Sequence, residues 1–365
     1  MKWHRSLPVD AVLVLMIVGF AATGIVVVFS ATAPGSGVKY LIRQSAYAGL
    51  GGILCALFSY MSPDSMRRLA LWGFLAAIGL MLLTFTPLGI VRNGAARWVQ
   101  PGFQPSEFAK LALILMLARC LAGARDWPKR QLDTYIACMT LTLGVCALCL
   151  LQRDLGSAIL VFCFGMITLY FAGLNVYAVT GTVVTAATAA LAFARMEEYR
   201  WERITAFLDP TRDPVDVGYQ VCRMLCTVAR GGLIGEGVGL SREKWLGIPA
   251  IEADAVYCVV AAELGFIGAA ALVVAFFFFI RRAVVLARSQ PDFFSSVLMA
   301  SLGSAIALQA FINMGVATGC VPCTGLTLPF ISHGGSSLLT TLAAAGIMLS
   351  LSRQSLPEPE SEGDT

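Results

Sequence analysis

The stretch AVYCVVAAELGFIGAAALVVAFFFFI, residues 255–280, decides the fold class. It carries a single charge, Glu263. An apolar run of about 20 residues is enough to cross a bilayer as a helix. Asp254 stands immediately before it. A carboxylate driven to the bilayer centre costs roughly 2.5–3.5 kcal/mol. An acid at the mouth of such a helix is therefore kept near water or given a task.

Outward from this run the same signature recurs. Of 365 residues, 58% are hydrophobic and 13% charged, about half the charge of a soluble domain. Ten apolar runs reach membrane-spanning length, at 10–31, 44–62, 69–91, 106–124, 133–151, 156–173, 176–194, 255–280, 294–316 and 336–352. The last is the shortest. The expected fold is an all-α polytopic membrane protein with a single ten-span domain over 1–353. A large polar insertion, 195–254, falls between spans 7 and 8, and an acidic tail, 354–365, has the composition of a disordered segment.

Orientation follows from Lys and Arg in short loops, which favour the cytoplasmic side. Lys2, Arg5, Arg67, Arg68, Arg125, Lys129, Arg130, Arg281, Arg282, Arg288 and Arg353 fall on one side of a ten-span chain. The other side has Lys39, Arg43, Arg92, Arg97 and Arg153. Both termini are therefore expected in the cytoplasm and the insertion outside. The first apolar run lacks a clear cleavage site and reads as an anchor. Most of the 11 cysteines sit in the spans as small apolar residues. Cys320-Val-Pro-Cys323 has a spacing that could pair. With only His4 and His333 and no Cys/His cluster, a zinc site is not expected.

Four polar stretches fall on the outer side of this topology. In VRNGAARWVQPGFQPSEFAK, 91–110, Asn93-Gly94 and Pro101-Gly102 are turn signals and Pro105-Ser106-Glu107 opens a helix. Arg97, Glu107 and Lys110 are either an interfacial anchor, with Glu107 paired to Lys110, or the lining of a pocket for an anion. In LLQRDLGSA, 150–158, Asp154 is either a helix N-terminal charge or a second carboxylate of an outer cavity. Within the insertion, 199–214 reads as a short amphipathic helix and a Pro-punctuated turn. Residues 218–232 read as an interfacial or re-entrant helix. GGLIGEGVGLSREKW, 231–245, follows no strand and so is no Rossmann or Walker loop. It is either a flexible turn or a backbone cradle for phosphate beside Arg230, Arg242 and Lys244. In GCVPCTGLTLPFISHGGSS, 319–337, Pro and Gly prevent a regular helix, and irregular backbone at membrane depth is tolerated where it lines a cavity. Ser332 and Ser336 are the expected lining.

In this ordered set, NGAARW, QPSEFAK, QRDLGSA, YRWERITAFLDP, GYQ, GGLIGEGVGLSREKW, ELGFIG and GLTLPFISHGGSS, the chain resembles the SEDS family, the shape, elongation, division and sporulation proteins of bacteria. The opening helix and GLTLPFIS lean towards its division-specific branch. The resemblance implies a peptidoglycan glycosyltransferase of the bacterial inner membrane. It implies that lipid II, a disaccharide-peptide on undecaprenyl pyrophosphate, is the substrate. A class B penicillin-binding protein transpeptidase and other division proteins are the implied partners, and nucleic acid has no role. By position, Asp254 matches the family's essential aspartate. Arg97, Glu107, Lys110, Gln220, Lys244, Glu263, Ser332 and Ser336 match recurrent polar positions.

The chain departs from the family in four places. Arg153 stands where Pro is usual and Ala262 where a glutamate is. The run Ala250-Ile251-Glu252-Ala253-Asp254 replaces Glu-Ala-His-Thr-Asp, and His333 stands where Tyr is common. The expected chemistry is attack of an acceptor 4-hydroxyl on the anomeric carbon of the donor. Asp254 would act as base or as ligand to a divalent cation, Mg or Mn, and Arg97, Lys110 and Lys244 would face the pyrophosphate. No cofactor is otherwise called for. A lipid II flippase and a non-catalytic scaffold are the alternatives. The first would show an inverted repeat with broken helices in both halves.

Overall fold

The structure is a computed structural model. It describes residues 9–355 apart from 36, 93, 94, 100, 101, 125–130, 196–200, 203, 204, 206, 211–217 and 247–249. Lys2, His4, Arg5, the Asn93-Gly94 turn, Arg125, Lys129, Arg130 and nearly all of the expected tail lie outside the described residues.

Each expected span appears as a helix: α1 Ala11–Thr32, α2 Gly37–Ser59, α3 Pro63–Leu83, α4 Pro105–Gly123, α5 Gln131–Leu151, α6 Leu155–Phe171 and α7 Val176–Arg195. After the insertion come α9 Val256–Arg288, α10 Phe293–Ala317 and α11 Gly335–Ser355. Inside the insertion lies α8, Tyr219–Arg230, which buries Val221, Met224 and Thr227 along one stripe. Seven of these helices are long and apolar enough to cross a membrane, and α6 and most of α7 are shorter apolar helices. The remaining one, α4, carries Glu107 and Lys110 in its first turns. One hairpin was not foreseen: β1 Ile90–Arg92 pairs antiparallel with β2 Ala95–Trp98 across the expected turn.

Acids at helix starts explain several boundaries. Asp10 caps α1 through the Leu13 N–H at 2.8 Å, and Asp292 caps α10 through the Ser295 N–H at 3.0 Å. A side-chain oxygen there satisfies a backbone donor that the helix leaves open.

Contacts across the bundle sort its two ends. At one end Arg282 pairs with Asp10, and the Asp10 N–H donates to Ser352 Oγ at 3.1 Å. There too Arg353 Nε donates to the Ser59 carbonyl at 3.3 Å, and Arg67 lies 3.7 Å from Asp292. At the other end residues 97–99, 102–104, 153–157, 252–254 and 327–336 meet. Helices therefore alternate in direction, and the four polar stretches gather at one end.

The last helix, expected as the least secure, is the central post. Nearly all of α11 is buried, packed on α1, α2, α4, α9 and α10. Ahead of it, residues 318–334 dip into the bundle. The Phe330 ring stacks on Phe20 at 5.7 Å and meets Phe279 edge-on at 6.0 Å. A Cβ on Gly24 would come within 2.6 Å of the Phe330 carbonyl oxygen, so only glycine admits this segment against α1. Gly24 lies about 12 Å below the end of α1 at the helical rise of 1.5 Å per residue. The 318–334 segment is thus re-entrant.

Helix α9 has 33 residues, about 50 Å, against a hydrocarbon core of about 30 Å. It is broken at Gly265, where φ is +67°.

Candidate active site

The broken helix explains the glycine-rich run. Segment 231–237 docks backbone to backbone on the break. The Glu236 and Gly237 N–H groups donate to the Ala262 and Glu263 carbonyls at 2.9 and 3.0 Å. The Phe266 N–H donates to the Gly232 carbonyl at 2.8 Å. A Cβ on Gly235, where φ is +89°, would overlap the Glu263 carbonyl oxygen at 2.2 Å. The Gly235, Glu236 and Gly237 amides are bonded within the chain, so they are not free to cradle a phosphate. The segment closes the hydrogen bonds that the break in α9 opens, which an apolar surrounding makes obligatory.

The same docking positions Lys244. Its ammonium donates to Glu263 Oε1 at 3.1 Å, to Ser30 Oγ at 3.2 Å and to the Gly239 carbonyl at 2.6 Å, while Ser30 Oγ donates to Glu263 Oε1 at 2.5 Å. The Lys244 side chain is 1% exposed. Lys244, expected to face pyrophosphate beside Asp254, is instead held in an internal ion pair that ties α1, α9 and the insertion together. Glu263 lies at the level of Ser30, near the C-terminal end of α1, which is how a span tolerates it. Lys110 is likewise buried, with Glu107 Oε1 at 2.7 Å. That pair borders a small cavity of about 40 Å³ with Gln309, Pro329, Thr340 and Thr341. Glu107 and Lys110 are paired as expected but buried, and the small cavity they border is lined otherwise by apolar, hydroxyl and amide side chains.

Asp154 takes the first of its two expected parts, the charge at a helix N-terminus. It caps α6, accepting from the Ser157 N–H at 3.1 Å and Ser157 Oγ at 2.8 Å. It also accepts from Gln104 Nε2 at 3.2 Å and lies 3.9 Å from Arg97 Nε. Arg97 further donates to the carbonyl of Arg153, whose φ of +58° turns that carbonyl outward at a position where the family usually has Pro. Ser336 links this corner to α11. Its Oγ donates to the Gly102 carbonyl at 2.9 Å and accepts from the Gln104 N–H at 2.8 Å.

Asp254 closes a turn, 250–254, that packs on the re-entrant segment. Ser332 Oγ donates to the Ala253 carbonyl at 2.5 Å and accepts from the Leu328 N–H at 2.8 Å. The His333 N–H donates to the Glu252 carbonyl at 2.7 Å. Asn313 Nδ2 donates to the Asp254 carbonyl at 3.1 Å and to the Leu326 carbonyl at 2.6 Å. A Cβ on Gly325 would stand 3.7 Å from Asp254 Oδ2. Asp254 is partly exposed at this end of the bundle. Gln220, half-buried in the first turn of α8, is the one expected site residue with no hydrogen bond tying it to these groups among the described residues.

The re-entrant segment is therefore the hub. It touches Asp254 through Gly325, the 250–254 turn through Ser332, the Glu107–Lys110 cavity through Pro329, and α6 through Thr324, whose carbonyl oxygen would lie 2.5 Å from a Cβ on Gly156. Sequence analysis missed Asn313, Gln309 and Gln44. Their signal was amides inside apolar helices, Gln44 in α2 and Gln309 and Asn313 in α10, where an unpaired amide is costly. Each amide bonds a carbonyl of the re-entrant segment: Gln309 Nε2 that of Thr327 at 3.0 Å, and Gln44 Nε2 that of Ile331 at 3.3 Å. Cys320 and Cys323 are not joined in a disulfide. Among the described residues no three His, Cys, Asp or Glu side chains gather as a metal-ligand set.

Fold and site together define a class: a polytopic helical membrane protein with a partly exposed acid at one end of the bundle, built on a broken helix and a re-entrant segment. The model of the cell cycle protein family of FtsW, RodA and SpoVE matches residues 10–356, and the chain belongs to that family. It is 34% identical over 354 residues to a probable peptidoglycan glycosyltransferase FtsW of Geobacter sp. (strain M18), covering 94% of this chain and 96% of that one. It is 32% identical over 366 residues to stage V sporulation protein E of Bacillus subtilis (strain 168), covering 95% and 97%. Among solved structures it is similar to a chain from a study of polymerization and crosslinking by a peptidoglycan synthase complex, with TM-score 0.81, 33% identity and coverage of 94% and 98%. It is also similar to the rod shape determining protein RodA of Thermus thermophilus, with TM-score 0.71, 30% identity and coverage of 96% and 98%.

Proposed function

We propose that this protein is a peptidoglycan glycosyltransferase that polymerises lipid II into glycan strands during septal wall synthesis, beside a class B penicillin-binding protein transpeptidase. The observation that carries the reading is Asp254, a partly exposed carboxylate held on a rigid turn by Ser332 and Asn313 at the polar end of the bundle. That end is the extracytoplasmic one in this reading, with both termini in the cytoplasm. The arginines at the opposite end, Arg67, Arg282, Arg288 and Arg353, support the orientation.

In the reaction the Asp254 carboxylate takes the proton of the acceptor 4-hydroxyl as its oxygen bonds the anomeric carbon of the donor. The bond to pyrophosphate breaks on the opposite face, so the configuration inverts. Negative charge develops on the leaving group, and a cation in a water-poor cleft stabilises it. Arg97 suits that role, because its side chain is 31% exposed and Asp154 orients it. Lys110 and Lys244 act through the structure, as partners of Glu107 and Glu263. The flippase alternative is disfavoured by an asymmetry among the described residues: the broken helix and the re-entrant segment both belong to the second half of the chain.

The test is lipid II polymerisation by the purified protein with its transpeptidase partner. Asp254→Asn is expected to yield no glycan chains while unfolding at the wild-type temperature in detergent. Glycan formation by that variant removes the assignment.

A further inference from the structure

Beside Asp254 lies a second cluster that the chemistry above does not use. Tyr40, Gln44 and Tyr47 project from the outer half of α2, at i, i+4 and i+7, onto His333 and Glu252. The Tyr40 ring meets the His333 ring edge-on at 4.9 Å, and Tyr47 does so at 6.4 Å. Tyr40 OH donates to Glu252 Oε1 at 3.3 Å. The Tyr47 ring is wedged at the start of α11, where a Cβ on Gly335 would come 2.7 Å from its Cζ. All but Gln44 are partly exposed.

The hydrogen bonds fix the tautomer of His333. Gln44 Nε2 donates to the Ile331 and Ser332 carbonyls, so Gln44 Oε1 faces the imidazole. His333 Nδ1 lies 2.9 Å from that oxygen and must carry the proton. Nε2 then holds a lone pair and has no hydrogen bond from the described residues. Burial keeps the imidazole below its ordinary 6.5 and hence neutral near pH 7; Glu252 opposes this and Arg43 adds to it.

We propose that Glu252, His333, Tyr40 and Tyr47 form a saccharide subsite for an N-acetylated hexose, the acceptor sugar of the reaction proposed above, on which this inference rests. Its polar groups include two acceptors, a carboxylate and an imidazole Nε2, beside the hydroxyls of Tyr40 and Tyr47. The acceptors match hydroxyl and amide donors and repel a pyrophosphate, which has Arg97 at the Asp154 corner. Its walls are aromatic, as an apolar sugar face requires. Glu252 is two residues from Asp254, so a sugar held here presents a hydroxyl to the base. Glu252 and His333 are also two of the positions where the chain departs from its family's usual residues, and the fold brings them into contact.

The test uses the full chain in detergent and two variants. Asn keeps the Nδ1 partner of Gln44 and lacks Nε2, whereas Gln puts an acceptor near the Nε2 position. Binding of a soluble β-1,4-linked N-acetylglucosamine tetrasaccharide is measured against pH, with lipid II polymerisation in parallel. His333→Asn is expected to weaken saccharide binding roughly tenfold, the loss of one hydrogen bond at the upper end of its range. It should raise KM more than it lowers kcat, and His333→Gln should restore part of the affinity. Wild-type binding should weaken as pH falls through the lowered histidine pKa, facing Glu252, Arg43 and the two tyrosines, and His333→Asn should lack that limb. Wild-type polymerisation without saccharide binding, or binding unchanged in His333→Asn, overturns the subsite and leaves the enzymatic reading standing. Saccharide binding that depends on His333, with no polymerisation under any partner, keeps the subsite and removes the enzymatic reading.

Discussion

Lys244 has three acceptors, and all of them belong to this chain. Removing one member of a buried ion pair strands the other, which costs about 3–5 kcal/mol. Lys244→Met should therefore lower the unfolding temperature markedly. Combining it with Glu263→Gln should recover most of the loss, because no charge is then left unpaired. A double-mutant cycle by thermal unfolding checks this; additive losses would refute the pairing. His333 gives a pH dependence whose sign follows from its environment. Its folded pKa lies below the unfolded value, so the unfolded chain binds more protons between the two. Stability should be full above about 6.5 and decline as pH falls from there towards the folded value. His333→Asn should flatten that decline, as read by unfolding temperature across the acid range.

Among the elements, the broken α9 and the glycine-rich segment on it are one unit. Gly235→Ala puts a Cβ into the Glu263 carbonyl and asks alanine to hold φ near +89°. Backbone strain of that kind costs on the order of 1–3 kcal/mol. The substitution should also loosen Lys244, since the segment carries it. The expected result is lower stability together with reduced polymerisation, whereas Gly239→Ala, which shares the backbone strain at φ +84° but has open space at its Cβ, should be milder. The re-entrant segment depends in the same way on Gly24. Gly24→Ala forces overlap with backbone atoms of Phe330 and Ile331, an overpacking that typically costs about 1–3 kcal/mol. Because this segment touches every part of the site, the loss of activity should exceed what the fall in stability explains.

For the molecule as a whole, the two ends of the bundle differ in chemistry. One gathers the site, and the other gathers arginines held by a carboxylate, as Arg282 by Asp10, or by a backbone carbonyl, as Arg353 by Ser59. Cys226 and Cys320 are exposed at the site end, whereas Cys138, Cys146, Cys149 and Cys258 are buried in helices. A membrane-impermeant maleimide added outside intact cells stripped of wall should label Cys226 and Cys320 and spare the buried four. Labelling only after the membrane is permeabilised would reverse the proposed orientation.

Hydropathy alone determined the ten helices, because removing twenty apolar residues from water outweighs every local preference. It also determined that Asp254, Arg97, Asp154, Ser332 and Ser336 would share one end, because alternating spans leave no other arrangement. The tertiary structure decided what spacing could not encode. It showed that Lys244 belongs to Glu263, that the glycines serve a broken helix, and that the final helix is the core post. It also showed that amides from α2 and α10 hold the re-entrant segment. Those facts are contacts between residues far apart in the chain. Which buried charge or amide finds which partner depends on where the backbone lies once the helices have packed.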